Sequence, residues 1–129
     1  MANPTTTHFQ VPTSDDARHA CLGPGGSAEH TMRVIRMIQG RWKVPILFRL
    51  FADPCMRTLQ MKRDLGTISQ KVLTQHLREL ADDGLVERVE HAGKSLHVEY
   101  RLTEMGKQLR QVLVAARTFS VEHPFETAR

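Results

Sequence analysis

The stretch from residue 58 to residue 100 constrains the fold more than any other part of the chain. It begins with a short helical pattern, TLQMKRDL, continues through a tight turn, GTIS, and enters a longer helical pattern, QKVLTQHLRELADD. A glycine then ends the second helix, and two strands are predicted within GLVERVEHAGKSLHVEY. Helix, turn, helix and hairpin in this order form a helix-turn-helix with a wing. We therefore predict an α+β fold in which the rest of the chain supports this motif.

The second helix of the motif has a clear start and a clear end. Ser69 is a good N-cap, because its hydroxyl can accept a hydrogen bond from the first helical turn. Asp83 and Gly84 end the helix, since glycine adopts the left-handed conformation after a helix without a steric penalty. At about 100° per residue the apolar side chains collect on one side of the helix. These side chains are Val72, Leu73, Leu77 and Leu80.

The opposite side of this helix is polar and carries side chains of the kind that contact DNA. Arg and Lys bind guanine or phosphate, Gln pairs with adenine, and the Thr methyl packs against the thymine methyl. The acidic Glu79, Asp82 and Asp83 stand at the far end of the helix. A solvated helix face has a similar composition, but the turn and the hairpin favour DNA binding. The candidate DNA-binding residues are Ser69, Gln70, Lys71, Thr74, Gln75 and Arg78, with Thr58 at the start of the first helix.

The wing is predicted from an alternating pattern after residue 95. Leu96, Val98, Tyr100 and Leu102 alternate with polar residues, which is the period of a half-buried strand. The hairpin tip is Ala92-Gly93-Lys94-Ser95, from which Lys94 can reach a phosphate. Such a contact would position the protein without reading sequence. The alternative is an exposed loop lysine with no DNA contact.

Two longer runs, ISQKVLTQHLRELADDGLVERV and VEYRLTEMGKQL, resemble the HxlR-type branch of the winged-helix transcriptional regulators, which are related to the MarR group. Upstream, Cys21, Gly40 and the segment from Arg41 to Leu47 match the family's cysteine, glycine and Trp-containing apolar helix. The resemblance covers roughly residues 21–115. It implies a homodimeric DNA-binding regulator, by family habit a repressor. The chain departs from the family in its shorter wing without prolines and at Arg57-Thr58-Leu59, where the family has an aromatic residue after the arginine.

Length and composition limit the domain organisation, the mode of DNA binding and the localisation that we expect. A chain of 129 residues is one domain by size, and we expect a flexible arm over residues 1–26 before an HxlR-type domain over residues 27–129. The net charge of +4 is compatible with nucleic acid, but residues 56–101 hold 8 Lys and Arg against 7 Asp and Glu. DNA binding must therefore come from the placement of charges. We see neither a membrane span nor a secretory signal, so we expect a cytoplasmic protein.

The last helix is predicted to form a dimer interface. Thr103 caps it, and a wide apolar stripe follows that has little domain left to cover it. We predict that this helix pairs with its equivalent in a second subunit, together with the helix at residues 27–39. The operator should then be a pseudo-palindromic double-stranded DNA. The alternative is a helix folded onto its own core. The stripe consists of Met105, Leu109, Val112, Leu113, Ala116 and Phe119.

The two cysteines are candidates for redox sensing. In a cytosolic chain they are expected to be thiols rather than a structural bridge. Cys21 follows Arg18 and His19, and nearby positive charge favours the reactive thiolate. The resemblance implies that Cys21 senses oxidants or electrophiles such as quinones and aldehydes, with Cys55 as a resolving thiol within or between subunits. The alternative is an inert Cys21 and a small, buried, apolar Cys55.

Other chemistries are not indicated. The seven histidines show no zinc-ligand spacing beside a cysteine pair, so we predict no metal and no cofactor. No phosphate loop or nucleophile elbow is present, so we predict no catalytic residues and no enzyme. Two alternatives keep the fold: a repressor with a pocket for a small aromatic effector at the dimer interface, or a protein-interaction module. The predicted pocket residues are Trp42, Met105 and Leu109.

Overall fold

The computed structural model describes residues 15–93 and 97–125. Contacts divide the chain into two compact units, Met1–Gln39 and Gly40–Arg129. Among the described residues, no helix has the length and apolar character that a membrane span requires. The described elements are α1 (Asp15–Leu22), α2 (Ser27–Ile38), α3 (Lys43–Ala52), β1 (Cys55–Arg57), α4 (Thr58–Leu65), α5 (Gln70–Asp82), β2 (Val86–His91), β3 (His97–Leu102) and α6 (Glu104–Glu122).

The first unit contains a helical hairpin where we had expected part of a flexible arm. Helix α1 lies inside residues 1–26, and the glycine-rich segment is the turn between α1 and α2. The Gly26 N–H donates to the Gly23 carbonyl at 2.9 Å. A Cβ on Gly26 would lie 2.5 Å from the Ala20 oxygen and 2.6 Å from the Cys21 oxygen. Glycine at this position therefore allows the end of α1 to approach the start of α2. Residues 1–14 of the expected arm lie outside the described residues.

Helix α3 is at the centre of the second unit, as its apolar sequence predicts. Ile46, Leu47 and Leu50 are fully buried, and α3 packs against α4, α5, α6 and β3. The helix is not buried all round, since Phe48 remains 36% exposed. Lys43 in its first turn is buried, which the apolar pattern did not predict.

The ends of the helix-turn-helix confirm the capping predictions. The Ser69 hydroxyl accepts from the Val72 N–H at 3.1 Å at the start of α5. Beyond the other end of α5, Gly84 has φ +83°. The Leu85 N–H reaches the Leu80 carbonyl at 2.9 Å and the Gly84 N–H reaches the Ala81 carbonyl at 3.0 Å. These two bonds form a Schellman motif, which ends the helix where the glycine predicts.

The wing is a three-stranded antiparallel sheet in the order β1-β3-β2 rather than the predicted two-stranded hairpin. Strand β1 pairs Met56 with Tyr100 of β3, and both side chains are buried beneath the sheet. Strand β1 has only three residues, too few for an alternating pattern to predict it. The alternation predicted for β3 is confirmed at Tyr100 and Leu102, which are buried.

Helix α6 begins where predicted and is tied to the wing. The Thr103 hydroxyl accepts from the Gly106 N–H at 3.0 Å and donates to the Gly84 carbonyl at 2.6 Å. Leu109 and Leu113 face the core of the unit and are buried. The rest of the predicted apolar stripe is exposed in the single chain: Met105 at 43%, Val112 at 47% and Phe119 at 61%, with Ala116 also exposed.

Candidate nucleic-acid interface

Helix α5 separates a buried face from an exposed polar face. Leu73, Leu77 and Leu80 are fully buried, so the opposite face is directed away from the core of the unit. Thr74 is half-buried, and its hydroxyl accepts from the Gln70 amide at 3.4 Å. This face is continuous over two helical turns and combines cationic, amide and hydroxyl groups. Its exposed members are Gln70, Lys71, Gln75 and Arg78.

The remaining candidate residues lie at the edges of this face or outside the described residues. Ser69 is exposed and holds the first turn of α5 through its hydroxyl oxygen, so its O–H remains a donor. Thr58 is half-buried at the first position of α4, the helix that packs against α5. Lys94 lies outside the described residues, in the three-residue gap between Gly93 and His97.

An ion pair that sequence reasoning missed anchors α5 to α3. Lys43 Nζ lies 3.3 Å from Glu79 Oε1, and His76 Nδ1 lies 3.2 Å from the same oxygen. The hydrogen bonds from His76 and then Lys43 hold the pKa of Glu79 below its usual value. Glu79, which we had grouped with the acids at the end of the polar face, is therefore held beside α3. His76 is half-buried in this contact.

A second ion-pair network fixes the first helix of the motif. Arg49 of α3 reaches Asp64 of α4 at 2.9 Å and Asp53 at 2.8 Å. Hydrogen bonds to Asp53 and then Asp64 raise the pKa of Arg49. Because α3 thus contacts α4 through Arg49 and α5 through Lys43, the helix-turn-helix is positioned from a single central helix.

The two cysteines lie in different units. Cys21 is half-buried in α1, and Cys55 is exposed on β1. Cys55 Sγ donates to Glu99 Oε2 at 3.3 Å. Desolvation, followed by the hydrogen bond to Glu99 and the charge of Glu99, raises the pKa of the Cys55 thiol. Cys55 is accordingly held as a neutral thiol, which is a poorer nucleophile than a thiolate.

The outer face of the wing carries a cluster that the sequence analysis did not predict. His91 Nε2 forms an ion pair with Glu99 Oε1, and His97 Nε2 lies 3.3 Å from the same oxygen. The two imidazole rings stack with their centroids 4.6 Å apart. The signal that could have found this cluster is the strand register, which pairs His91 with His97.

A helix-turn-helix on α4 and α5, followed by a small antiparallel sheet, defines the winged helix-turn-helix proteins. Residues 37–124 match the model of the HxlR-like helix-turn-helix family. The chain belongs to this family, which confirms the resemblance seen in the sequence.

Three similar proteins illustrate the match. The uncharacterized HTH-type transcriptional regulator YtcD of Bacillus subtilis (strain 168) is 38% identical over 97 residues, or 75% of this chain and 74% of YtcD. The redox regulator HypR in its reduced form has a TM-score of 0.66 and 29% identity over 72% of this chain and 91% of HypR. The reduced form of the transcriptional regulator YodB from Bacillus subtilis has a TM-score of 0.68 and 25% identity over 74% of this chain and 92% of YodB.

Family and fold together decide the class of function. The chain is a transcriptional regulator with a helix-turn-helix DNA-binding fold and is not an enzyme. The predicted α+β winged helix-turn-helix is confirmed. The DNA-binding residues, the cysteine switch and the dimer interface stay predictions.

Proposed function

We propose that the chain is a homodimeric repressor that binds a pseudo-palindromic operator through the polar face of α5. The observation that carries this proposal is the division of α5 into a fully buried leucine face and an exposed face of Gln70, Lys71, Gln75 and Arg78. These side chains can donate to base edges and phosphates. Ser69 and Thr58 would contact the DNA backbone beside them, and Lys94 would contact a phosphate from the wing.

The dimer is supported by the exposed apolar side chains of α6. Met105, Val112 and Phe119 are each more than two-fifths exposed in the single chain, which is costly in water unless they are covered. A second copy offers the same surface, and a two-fold axis lets α6 pair with its equivalent. Met32 and Ile35 of α2, in the other unit, are also exposed, which supports the prediction that this helix takes part in dimer formation. Two α5 helices would then lie about one DNA turn apart.

The DNA contacts can be tested by fluorescence anisotropy on an operator selected from random duplexes. Replacing Gln75 or Arg78 with Ala should cost roughly 1–3 kcal/mol on the operator if each contacts a base. The matched control is Arg110→Ala, because Arg110 is exposed on α6 and its loss changes the net charge equally. Equal, small losses for Arg78→Ala and Arg110→Ala would contradict base contact. Absence of salt-dependent DNA binding would favour a protein-interaction module.

The wing contact has a different expected signature. Lys94→Ala should weaken binding to all duplexes about equally, since a phosphate contact carries no sequence information. The slope of the logarithm of affinity against the logarithm of salt concentration should become shallower by about one. A selective loss on the operator would mean that the wing, rather than α5, reads the bases.

The proposed switch is oxidation or electrophile modification of Cys21. Its support is the position of a half-buried cysteine in α1 and the similarity to HypR, a redox regulator. Peroxide, diamide or a quinone should change operator affinity in wild type and leave the affinity of Cys21→Ser unchanged. Cys55→Ser, compared in parallel, tests whether Cys55 resolves the modified Cys21. A response to oxidant that persists in Cys21→Ser would refute the switch.

Sensitivity of DNA binding to an aromatic ligand, together with insensitivity to oxidants, would indicate the small-molecule alternative.

A further inference from the structure

The outer face of the wing brings together three side chains that can bind a metal ion. His91 ends β2, His97 begins β3, and the two are direct cross-strand partners. Glu99 follows His97 by two residues and therefore projects from the same face of the sheet. The backbone register thus fixes all three ligands, and the site lies at the base of the wing tip.

The ligand atoms are already close enough for one ion. One nitrogen or oxygen from each residue lies within 4.8 Å of the others. A tetrahedral zinc ion with bonds of about 2.0–2.1 Å needs ligand atoms about 3.3 Å apart. His97 Nε2 and Glu99 Oε1 are 3.3 Å apart, which is this separation. The His91 ring stacks on the His97 ring, so it must turn to direct Nε2 at the same ion. The side chains of His91, His97 and Glu99 are 45%, 26% and 21% exposed, which leaves the site open to ions from solution.

We propose that His91, His97 and Glu99 form a binding site for a divalent transition-metal ion of the Zn²⁺ type. Two imidazoles and one carboxylate are a donor set that zinc accepts, with its fourth position open to water. Mg²⁺ and Ca²⁺ prefer oxygen ligands and do not fit two imidazoles. This proposal departs from the expectation of no metal that the histidine spacing gave, and the site does not depend on the proposed DNA binding.

Metal binding also changes the proton arrangement at His97. Arg57 Nη2 lies 3.4 Å from His97 Nδ1, and because arginine can only donate, Nδ1 is the acceptor in this contact. Nε2 of His97 therefore carries the proton that faces Glu99. An ion bound at Nε2 displaces that proton, and in the neutral ring the proton is then carried by Nδ1. Two donors then face each other, so the Arg57 side chain loses its contact with His97, while the Arg57 backbone stays paired with Glu99 in the sheet.

The contact between Arg57 and His97 places the metal site next to the helix-turn-helix. Arg57 precedes α4 directly, and α4 packs against α5. The chelate itself joins the last residue of β2 to the first residue of β3.

The test is isothermal titration calorimetry of the full chain with Zn²⁺, in a buffer with a non-thiol reductant. One ion per chain is expected, and His91→Ala, His97→Ala and Glu99→Gln should each weaken its binding at least about tenfold. The matched control is His30→Ala, which removes an exposed histidine from α2 and should leave the affinity unchanged.

Two results would overturn the site. The first is an affinity for Zn²⁺ that stays unchanged in each of the three ligand variants. The second is a loss of Zn²⁺ affinity in His30→Ala as large as the loss in the ligand variants. Because a wing variant can misfold, a second measurement uses wild type alone: the imidazole nitrogens of His91 and His97 should shift in long-range ¹H–¹⁵N spectra as Zn²⁺ is added. Shifts confined to other histidines would place the ion elsewhere.

Discussion

Gly106 in the first turn of α6 is the position where adding one methyl group should do the most damage. A Cβ built on Gly106 lies 2.1 Å from the Leu85 carbonyl oxygen and 3.0 Å from Leu102 Cδ2. The same Leu85 oxygen accepts a hydrogen bond from the Thr103 N–H at 3.1 Å. Gly106→Ala therefore pushes α6 away from the backbone that leads into β2.

Two opposing effects set the size of the loss. Alanine is a better helix former than glycine by about 1 kcal/mol. Against this, inserting a methyl group into a closely packed site costs about 1–3 kcal/mol, and weakening the Thr103 hydrogen bond costs about 1 kcal/mol more. A backbone oxygen at 2.1 Å cannot move aside as a flexible side chain can. We expect a net destabilisation of about 1–3 kcal/mol.

Urea unfolding followed by circular dichroism measures this change, at one fixed chain concentration because a dimer's stability depends on concentration. The control is Gln108→Ala, an exposed position two residues further along α6, which should stay within about 0.5 kcal/mol of wild type. A Gly106→Ala protein as stable as wild type, or more stable, would show that α6 does not approach Leu85 this closely.

Three further predictions concern helix ends, the dimer and pH. Thr103→Val should lower the free energy of unfolding in urea by about 1–2 kcal/mol, because the hydroxyl both caps α6 and bonds the Gly84 carbonyl. Val112→Asp should give monomers in sedimentation, whereas Gln111→Asp, its exposed neighbour, should leave the dimer intact. The hydrogen bond from His76, reinforced by Lys43, lowers the pKa of Glu79 from 4.5, so its stabilisation is present above that pH and lost below it. Glu79→Gln should therefore flatten the acid side of the stability–pH curve measured by thermal unfolding.

The parts of the fold that sequence predicted are those fixed by local chemistry. Ser69, Gly84 and Thr103 act within one turn of their own helices, so their residue types alone indicate where α5 and α6 begin or end. Strand β1 is different, because its three residues are held by pairing with β3 more than forty positions later. Helix α1 was not predicted, because the segment Gly23-Pro24-Gly25-Gly26 after it indicates an arm as readily as a turn.

The candidate site also has features that local sequence predicts and features that depend on contacts between distant residues. The exposed face of α5 follows from helical periodicity, so Gln75 and Arg78 could be placed without a structure. The Lys43–Glu79 pair joins residues of two helices, and its formation depends on how those helices pack. The pairing of His91 with His97 depends on the hairpin register, and a shift of one residue would put them on opposite faces.

The contacts around Gly84 join three elements of the second unit. The Thr103 hydroxyl joins the start of α6 to the glycine that ends α5, and the Thr103 N–H joins it to Leu85 before β2. The start of α6, the end of α5 and the base of the wing are therefore joined through Thr103. In a dimer formed through α6, a rotation between subunits would carry both α5 helices with it rather than bend them. A modification that shifts α6 against its equivalent would then act by changing the spacing of two intact recognition helices, so DNA affinity would fall without any loss of helix.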